Sequence, residues 1–444
     1  MVKKSWLLMV IFALVFVTAC SSGGTDQNNG NNNNTNTEQN VNNQPGETAG
    51  VEDEGIHEPV ELVVYTTSGD SEESFNARFG DMIREKFPNV TLQYITATRE
   101  FGIEEFIASG QKVDIYWDSI GYFPTGLQYE VPADMTDLIE KHQIDLTQLE
   151  PSSVDKMKEM SGGKMFGIPV FNMNMVLYYN KDIFDKFGVD YPTDGMTWDE
   201  LADLSKQITR NDGNTLYYGY AVSQGHAMRL NQLSLPYLDP ETKQPTIQTD
   251  EKWKTFFQKV YTNPMFPYKE TGAVPGGNDF MNSKILAMYA MLSNWSFNSP
   301  EFEMMNWDMV ALPTFEEAPG VGSQPYPNYF AVAELSEHKD EAMKVIKFLI
   351  SKEAQLKLSK IGVVPTLEDD EVKNALGSES IFKNKNWGAV FYHSFAPIPY
   401  KDIYDSTIEK HYREAILPAQ DDINTAFRVA AENASKAYAD EAGQ

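Results

Sequence analysis

The 444-residue chain carries 36 lysines and arginines against 64 aspartates and glutamates, a formal net charge of −28. That length exceeds what one core serves, so two cored domains are expected, and the acidity argues against nucleic acid as a partner. One cysteine, Cys20, rules out an internal disulfide or thiolate metal site, and the six histidines lack metal-ligand spacing.

At the amino end, Lys3 and Lys4 precede an apolar run over residues 6–17 and then Thr18, Ala19 and Cys20. Residues 1–19 read as a secretory signal with a small-residue cleavage site, too short to span a bilayer comfortably. Val17-Thr18-Ala19-Cys20 resembles a bacterial lipobox. The resemblance implies lipidation at Cys20 and an address on the outer face of the cytoplasmic membrane, held by the lipid alone. Removing the signal with its two lysines takes the charge from −28 to −30. Residues 20–58, rich in Asn, Gly, Gln, Thr and acids, bury too little apolar surface to order themselves and read as a disordered tether.

The folded part opens with a buried strand, LVVYT at 62–66. A helix follows, with Phe75, Phe79, Met82, Ile83 and Phe87 at helical spacing before Pro88 stops it. Further strands at 90–95 and 113–117, with a helix over 101–109 between them, predict a parallel sheet. Ligands of such sheets sit beyond the carboxyl ends of the strands, which singles out Ser68, Asp70, Trp117 and Asp118. Asp70 with Glu73 also fits a plain helix cap.

Residues 162–184, GGKMFGIPVFNMNMVLYYNKDIF, contain two apolar runs with no turn chemistry between them. The alternation of Phe171, Asn172, Met173 and Asn174 puts both asparagines on one side of an extended chain. Two readings stand: an edge strand with a solvated face, or a hinge strand lining a polar cleft. Beyond it, Thr197 with Glu200 forms a capping box for a helix that turns Trp198, Leu201, Leu204 and Ile208 inward, so Trp198 reads as core. Residues 223–229, SQGHAMR, have too few apolar groups for a core, and Gln224 and Arg229 become candidates for a cleft, against a solvated loop.

The pattern G-K-x-x-G-I-P, then L-Y-Y-N-K-D-x-F, then T-W-D-E-L at 197–201 resembles the extracellular solute-binding proteins of carbohydrate ABC transporters, the maltose-binding-protein-like group. MVALPTF at 309–315, YFAV at 329–332 and GVVPT at 362–366 extend the resemblance over everything after residue 60. It implies an α/β, two-lobed periplasmic-binding-protein-like fold of the class II type, each lobe a mainly parallel sheet flanked by helices, the lobes joined by three hinge crossings. The amino-terminal lobe would be 59–170 plus 314–362, and the carboxyl-terminal lobe 171–313 plus 363–444. Trp295, which reads as core on its own pattern, occupies the position whose aromatic stacks on the sugar in relatives, although this chain has Ser-Asn-Trp where the family shows Gly-Pro-Trp or Gly-Ser-Trp. The loop before 330 adds Asn328 and Tyr329 as candidates. The cluster Trp387, Phe391, Tyr392 and Phe395 reads as local core or a further stacking surface.

The implied function is capture of a carbohydrate, in particular an oligosaccharide, by a lipid-anchored monomer that hands it to a separate ABC permease and its ATPase. No cofactor or metal is implied. The chain contains no G-x-S-x-G, H-E-x-x-H, Walker A or G-x-G-x-x-G motif. An exported glycosidase, which needs only two carboxylates, and a binding protein for a non-sugar molecule are the rival readings.

Overall fold

The computed structural model describes residues 55–98, 100–264, 274–297, 299–417 and 422–443. Cys20, the signal and the tether up to residue 54 lie outside the described residues.

Among the described residues, eleven strands form two sheets: β1 Val60–Thr66, β2 Val90–Thr96, β3 Ile115–Ser119, β4 Ile168–Asn172, β5 Met175–Asn180, β6 Arg210–Asp212, β7 Thr215–Val222, β8 Leu286–Leu292, β9 Trp307–Ala311, β10 Asn328–Val332 and β11 Val364–Pro365. The first sheet has the order β11-β4-β10-β3-β1-β2 and the second β6-β7-β8-β5-β9. The sheets are mixed, which corrects the expectation of mainly parallel ones. In the first, β1 pairs in parallel with β2 and β3, whereas β10 and β11 pair antiparallel. In the second, only β7 and β8 are parallel. Parallel neighbours need a helical crossover within one sheet. The strands that arrive from the other sheet are free of that requirement and enter the opposite way.

The stretch at 162–184 is two strands, β4 and β5, in different sheets, with Met173 and Asn174 carrying the chain between them. Neither strand is an edge: β4 lies between β11 and β10, and β5 between β8 and β9. Asn172 and Asn174 are both buried, so the solvated-face reading fails. The second passage runs from β9 to β10 and the third follows β11, which stays in the first sheet just past the boundary expected at 362. The passages brace each other, since Met173 and Tyr326 exchange backbone hydrogen bonds of 3.3 and 2.7 Å.

Sequence signals account for the helices around each sheet. Ser71, rather than Asp70, caps the first helix, its hydroxyl accepting from the Ser74 N–H. That helix turns Phe75 and Phe79 onto the first sheet through a π-helical turn at Asn76–Gly80. The Thr197–Glu200 capping box forms as predicted and starts Trp198–Ile208, which buries Trp198, Leu201, Leu204 and Ile208. At Gly219 in β7, a Cβ would come within 2.3 Å of the Ser205 carbonyl oxygen of this helix, so only glycine permits the strand to pack so close. Helices Asp405–Ile416 and Ile423–Ala442 pack on each other beside the second sheet. Trp387 belongs to the buried cluster around Phe302 and Trp307, as a local core requires, while Tyr392 is exposed.

Candidate functional site

A cavity of about 350 Å³ opens between the two sheet-bearing halves. Thr67 after β1, Thr98 after β2, Ile103 and the 120–125 turn after β3 line it from the first lobe. Arg229, Gln324, Tyr326, Lys401, Asp402 and Asp405 line it from the crossing and the second lobe. The first-lobe wall therefore lies beyond the carboxyl ends of β1, β2 and β3, as the topology rule demands. Arg229 also borders a second space of about 480 Å³, lined by Ser223, Gln224, His226, Tyr289, Glu409 and Arg413.

Hydrogen bonds hold the walls in place. The Tyr326 hydroxyl accepts from Ser119 Oγ at 2.8 Å and from Arg229 Nη1 at 3.2 Å, tying the end of β3 to the short helix Gln224–Arg229. Arg229 also faces Glu409 at 3.8 Å, which pairs in turn with Arg413 at 2.7 Å. Asp402 accepts from the Tyr400 hydroxyl at 2.7 Å and pairs with Lys243 at 3.4 Å. Lys401 Nζ donates to the Arg229 carbonyl at 3.3 Å.

Two carboxyls near the cavity are shifted by burial. Burial pushes Asp405 up to about 7, with Lys401 opposing, and it draws Lys401 down to about 8. Asp118 is raised to about 6 by burial, against hydrogen bonds from Thr67, Ser119 and Tyr116. His226, buried beside Arg229, is pulled down to about 4, so its ring is neutral at pH 7. Ser223 Oγ lies 2.7 Å from His226 Nδ1.

Of the sequence candidates, Arg229 and Gln224 line the cavities. Trp295 is half-buried beside the second space: its ring centroid is 5.1 Å from that of Tyr289 and it packs edge-on against Tyr178 and Phe302. Ser68 is exposed, its hydroxyl accepting from the Thr66 hydroxyl at 3.0 Å, while its neighbour Thr67 reaches the cavity. Asp70 pairs with the buried Arg78, whose guanidinium lies over the rings of Phe79, Trp117, Phe171 and Phe297.

Four candidates lie in the interior. Trp117 stacks on Phe330 with ring centroids 5.6 Å apart and is buried. Tyr329 packs edge-on against Phe123 and Tyr116, and Asn328 donates to the Tyr326 carbonyl at 3.1 Å. The reason is packing: every residue of β3 and of β10 is buried, so both faces of these strands are covered. Asp118 is fully buried, and its oxygens accept from the Thr67 N–H and hydroxyl, the Tyr116 hydroxyl at 3.2 Å and the Ser119 N–H at 2.8 Å. It thereby holds the Thr67 loop. Asn174 is spent partly on the Val390 carbonyl at 2.8 Å, and Asn172 Oδ1 sits 3.5 Å from Ser153 Oγ.

Sequence reading missed Tyr122, Gln324, Tyr326, Lys401, Asp402 and Asp405. The available signal was the polar run Tyr400-Lys401-Asp402 with Asp405, just after a proline and before an amphipathic helix.

Two sheets joined by three passages, with a cavity at their junction, make this the architecture of the two-lobed binding proteins. The chain belongs to the bacterial extracellular solute-binding protein family, whose model matches residues 68–356. A probable ABC transporter-binding protein of Deinococcus radiodurans is 28% identical over 127 residues, 26% of this chain and 30% of that protein. The sn-glycerol-3-phosphate-binding periplasmic protein of Shigella flexneri is 35% identical over 66 residues, 15% of each chain. The chain thus spans under a third of the length of these curated relatives. Among solved structures, an ABC substrate-binding protein of Listeria monocytogenes in complex with cycloalternan superposes with a TM-score of 0.67 at 20% identity, covering 86% of this chain and 99% of that one. A cyclic alpha-maltosyl-1,6-maltose binding protein of Arthrobacter globiformis gives 0.63 at 16%, covering 85% and 98%. At these identities the likeness establishes the fold. Among the described residues, no helix is long and apolar enough to cross a membrane and no group of His, Cys, Asp and Glu is arranged to hold a metal ion.

Proposed function

We propose that the protein captures a carbohydrate between two lobes, one built on each sheet with its flanking helices, and delivers it to a separate ABC permease driven by an ATPase. The observation that carries this reading is the cavity lined from both lobes, which combines the rings of Tyr122 and Tyr326 with fixed amide, hydroxyl, carboxylate and ammonium groups. Aromatic faces suit the apolar faces of sugar rings, and the polar groups suit their hydroxyls. The structural neighbours from Listeria, in complex with cycloalternan, and from Arthrobacter, a cyclic alpha-maltosyl-1,6-maltose binding protein, support the same choice. A ligand touching both walls binds the closed arrangement selectively and draws the population toward it. Trp295 and Gln224 are assigned to a further ring in the second space, which favours an oligosaccharide over a single sugar.

In this reading the protein works as a monomer anchored through acylated Cys20, and it returns its ligand unaltered. A thermal-shift screen of mono- and oligosaccharides tests the ligand class: a cognate sugar raises the melting temperature, and a panel without any shift refutes it. Small-angle scattering with that sugar is expected to show a smaller radius of gyration. Release of cleaved product would instead identify a glycosidase. Mass spectrometry of the membrane-extracted protein tests the anchor, which fails if Cys20 carries no acyl chain.

A further inference from the structure

Three buried acceptor oxygens on the residues that line the first cavity have no hydrogen-bond partner: Gln324 Oε1 and both carboxylate oxygens of Asp405. Their neighbours are committed elsewhere. Gln324 Nε2 donates to the Asn231 carbonyl at 2.8 Å, which fixes its amide so that the oxygen is left over. Asp402 is engaged by Tyr400 and Lys243, and Arg229 by Tyr326 and Glu409. A buried acceptor without a donor is costly, and a carboxylate more so than an amide. Such a wall is completed by whatever brings donors to it.

We infer that the cavity selects an uncharged, hydroxyl-rich ligand, with Asp405 and Gln324 as the residues that determine this specificity. The inference rests on the carbohydrate reading and adds the ligand's charge and the groups that impose it. A hydroxyl both donates and accepts, so one hydroxyl can give its hydrogen to Asp405 while receiving one from Lys401, which lines the same cavity. Two neighbouring hydroxyls match the two oxygens of one carboxylate. An anionic ligand, a sugar acid or a phosphate, brings further acceptors against three that already lack donors, and it places its charge beside Asp405 wherever that carboxyl is ionised. A cationic amino sugar supplies donors but stands beside Lys401 and Arg229, which line the same cavity. Only the neutral polyol matches both sets.

The test is calorimetric titration of the mature protein with matched probes: maltotriose and mannotriose as neutral ligands, trigalacturonic acid and sn-glycerol 3-phosphate as anions, and the glucosamine trimer as a cation. A neutral probe is expected to bind at least tenfold more tightly than any charged one. Asp405→Asn keeps the shape, removes the charge and turns a donor toward the ligand, so it is expected to lower affinity for that neutral probe about tenfold to a hundredfold. Its unliganded melting temperature should stay level or rise, which separates recognition from a structural role. Tighter binding of an anion or of the glucosamine trimer, or unchanged affinity in Asp405→Asn, overturns the inference while leaving the carbohydrate or solute-binding role standing. If no saccharide of any charge binds, the carbohydrate reading fails and takes this inference with it.

Discussion

Tyr326→Phe removes one oxygen atom from the point where the two lobes meet. Its hydroxyl accepts from Ser119 Oγ at 2.8 Å and from Arg229 Nη1 at 3.2 Å. Ser119 is buried, so its hydroxyl loses a partner out of reach of water, at about 1–2 kcal/mol. The Arg229 bond is charge-assisted, but the Arg229 side chain is 24% exposed and keeps Glu409 at 3.8 Å, so its loss is taken at the lower end, about 1 kcal/mol. The expected destabilisation is roughly 2–3 kcal/mol, read as a lower urea midpoint at unchanged slope. A cycle with Ser119→Ala isolates the link, since about half of the loss should disappear when Ser119 is already alanine. A Tyr326→Phe effect below about 0.5 kcal/mol, or full additivity with Ser119→Ala, would refute the view that this hydroxyl joins the lobes.

Trp198→Phe should cost roughly 1.5–3 kcal/mol of stability and leave ligand affinity unchanged, because Trp198 Nε1 holds Gln232 at 2.9 Å, which in turn bonds the Pro313 and Val321 carbonyls; a titration showing weakened binding would contradict this. Gly219→Ala drives a Cβ into the Ser205 carbonyl at 2.3 Å and is expected to cost about 1–3 kcal/mol or more, seen as a lowered melting temperature. The pH dependence of the unliganded protein should carry the signature of Asp405, whose surroundings include Lys401, Asp402, Arg229, Tyr237 and Tyr412. Its pKa is raised to about 7 by burial from about 3.9 in the unfolded chain, so the folded state holds the extra proton between those values and loses stability as pH rises through them. Asp118 acts with the same sign up to about 6, and His226 with the opposite sign between about 4 and 6.5. Subtracting the Asp405→Asn profile cancels both, and the wild type should lose stability relative to the variant from pH 5 to 8; a flat difference would refute the burial of that carboxylate.

Local chemistry made much of the architecture legible. The helix at 198–208 is declared by its capping box and apolar spacing, the first three strands by apolar runs with a helix between each pair, and the family pattern at 162–201 by short-range residues that recur wherever this junction is built. The hinge position at Asn172 to Asn174 was legible for the same reason, since apolar runs without turn chemistry have few other uses. Strand direction was not legible. Whether β4, β9 and β10 run with or against their neighbours depends on which sheet the chain returns to, and the period-two pattern is the same either way. The binding candidates split along the same line. Arg229 and Gln224 were singled out because their segment is locally too polar for a core, and both line a cavity. Trp117, Asp118, Asn328 and Tyr329 lie in the interior, which sequence could not show, because an aromatic or a carboxylate at a strand end looks the same whether one face of the strand is open or both are covered, and every residue of β3 and β10 is buried. Asp405, Lys401 and Gln324 carry no local signal beyond polarity. Asp405 and Lys401 meet Thr67 and Tyr122 only because the carboxyl-terminal segment packs back against the junction, joining residues more than 270 positions apart, and Gln324 arrives through the second passage, more than 200 positions from either. Burial and the loss of hydrogen-bond partners are properties of that packing, so the tertiary structure alone decides which of 64 acidic residues faces the cavity with both oxygens unpaired.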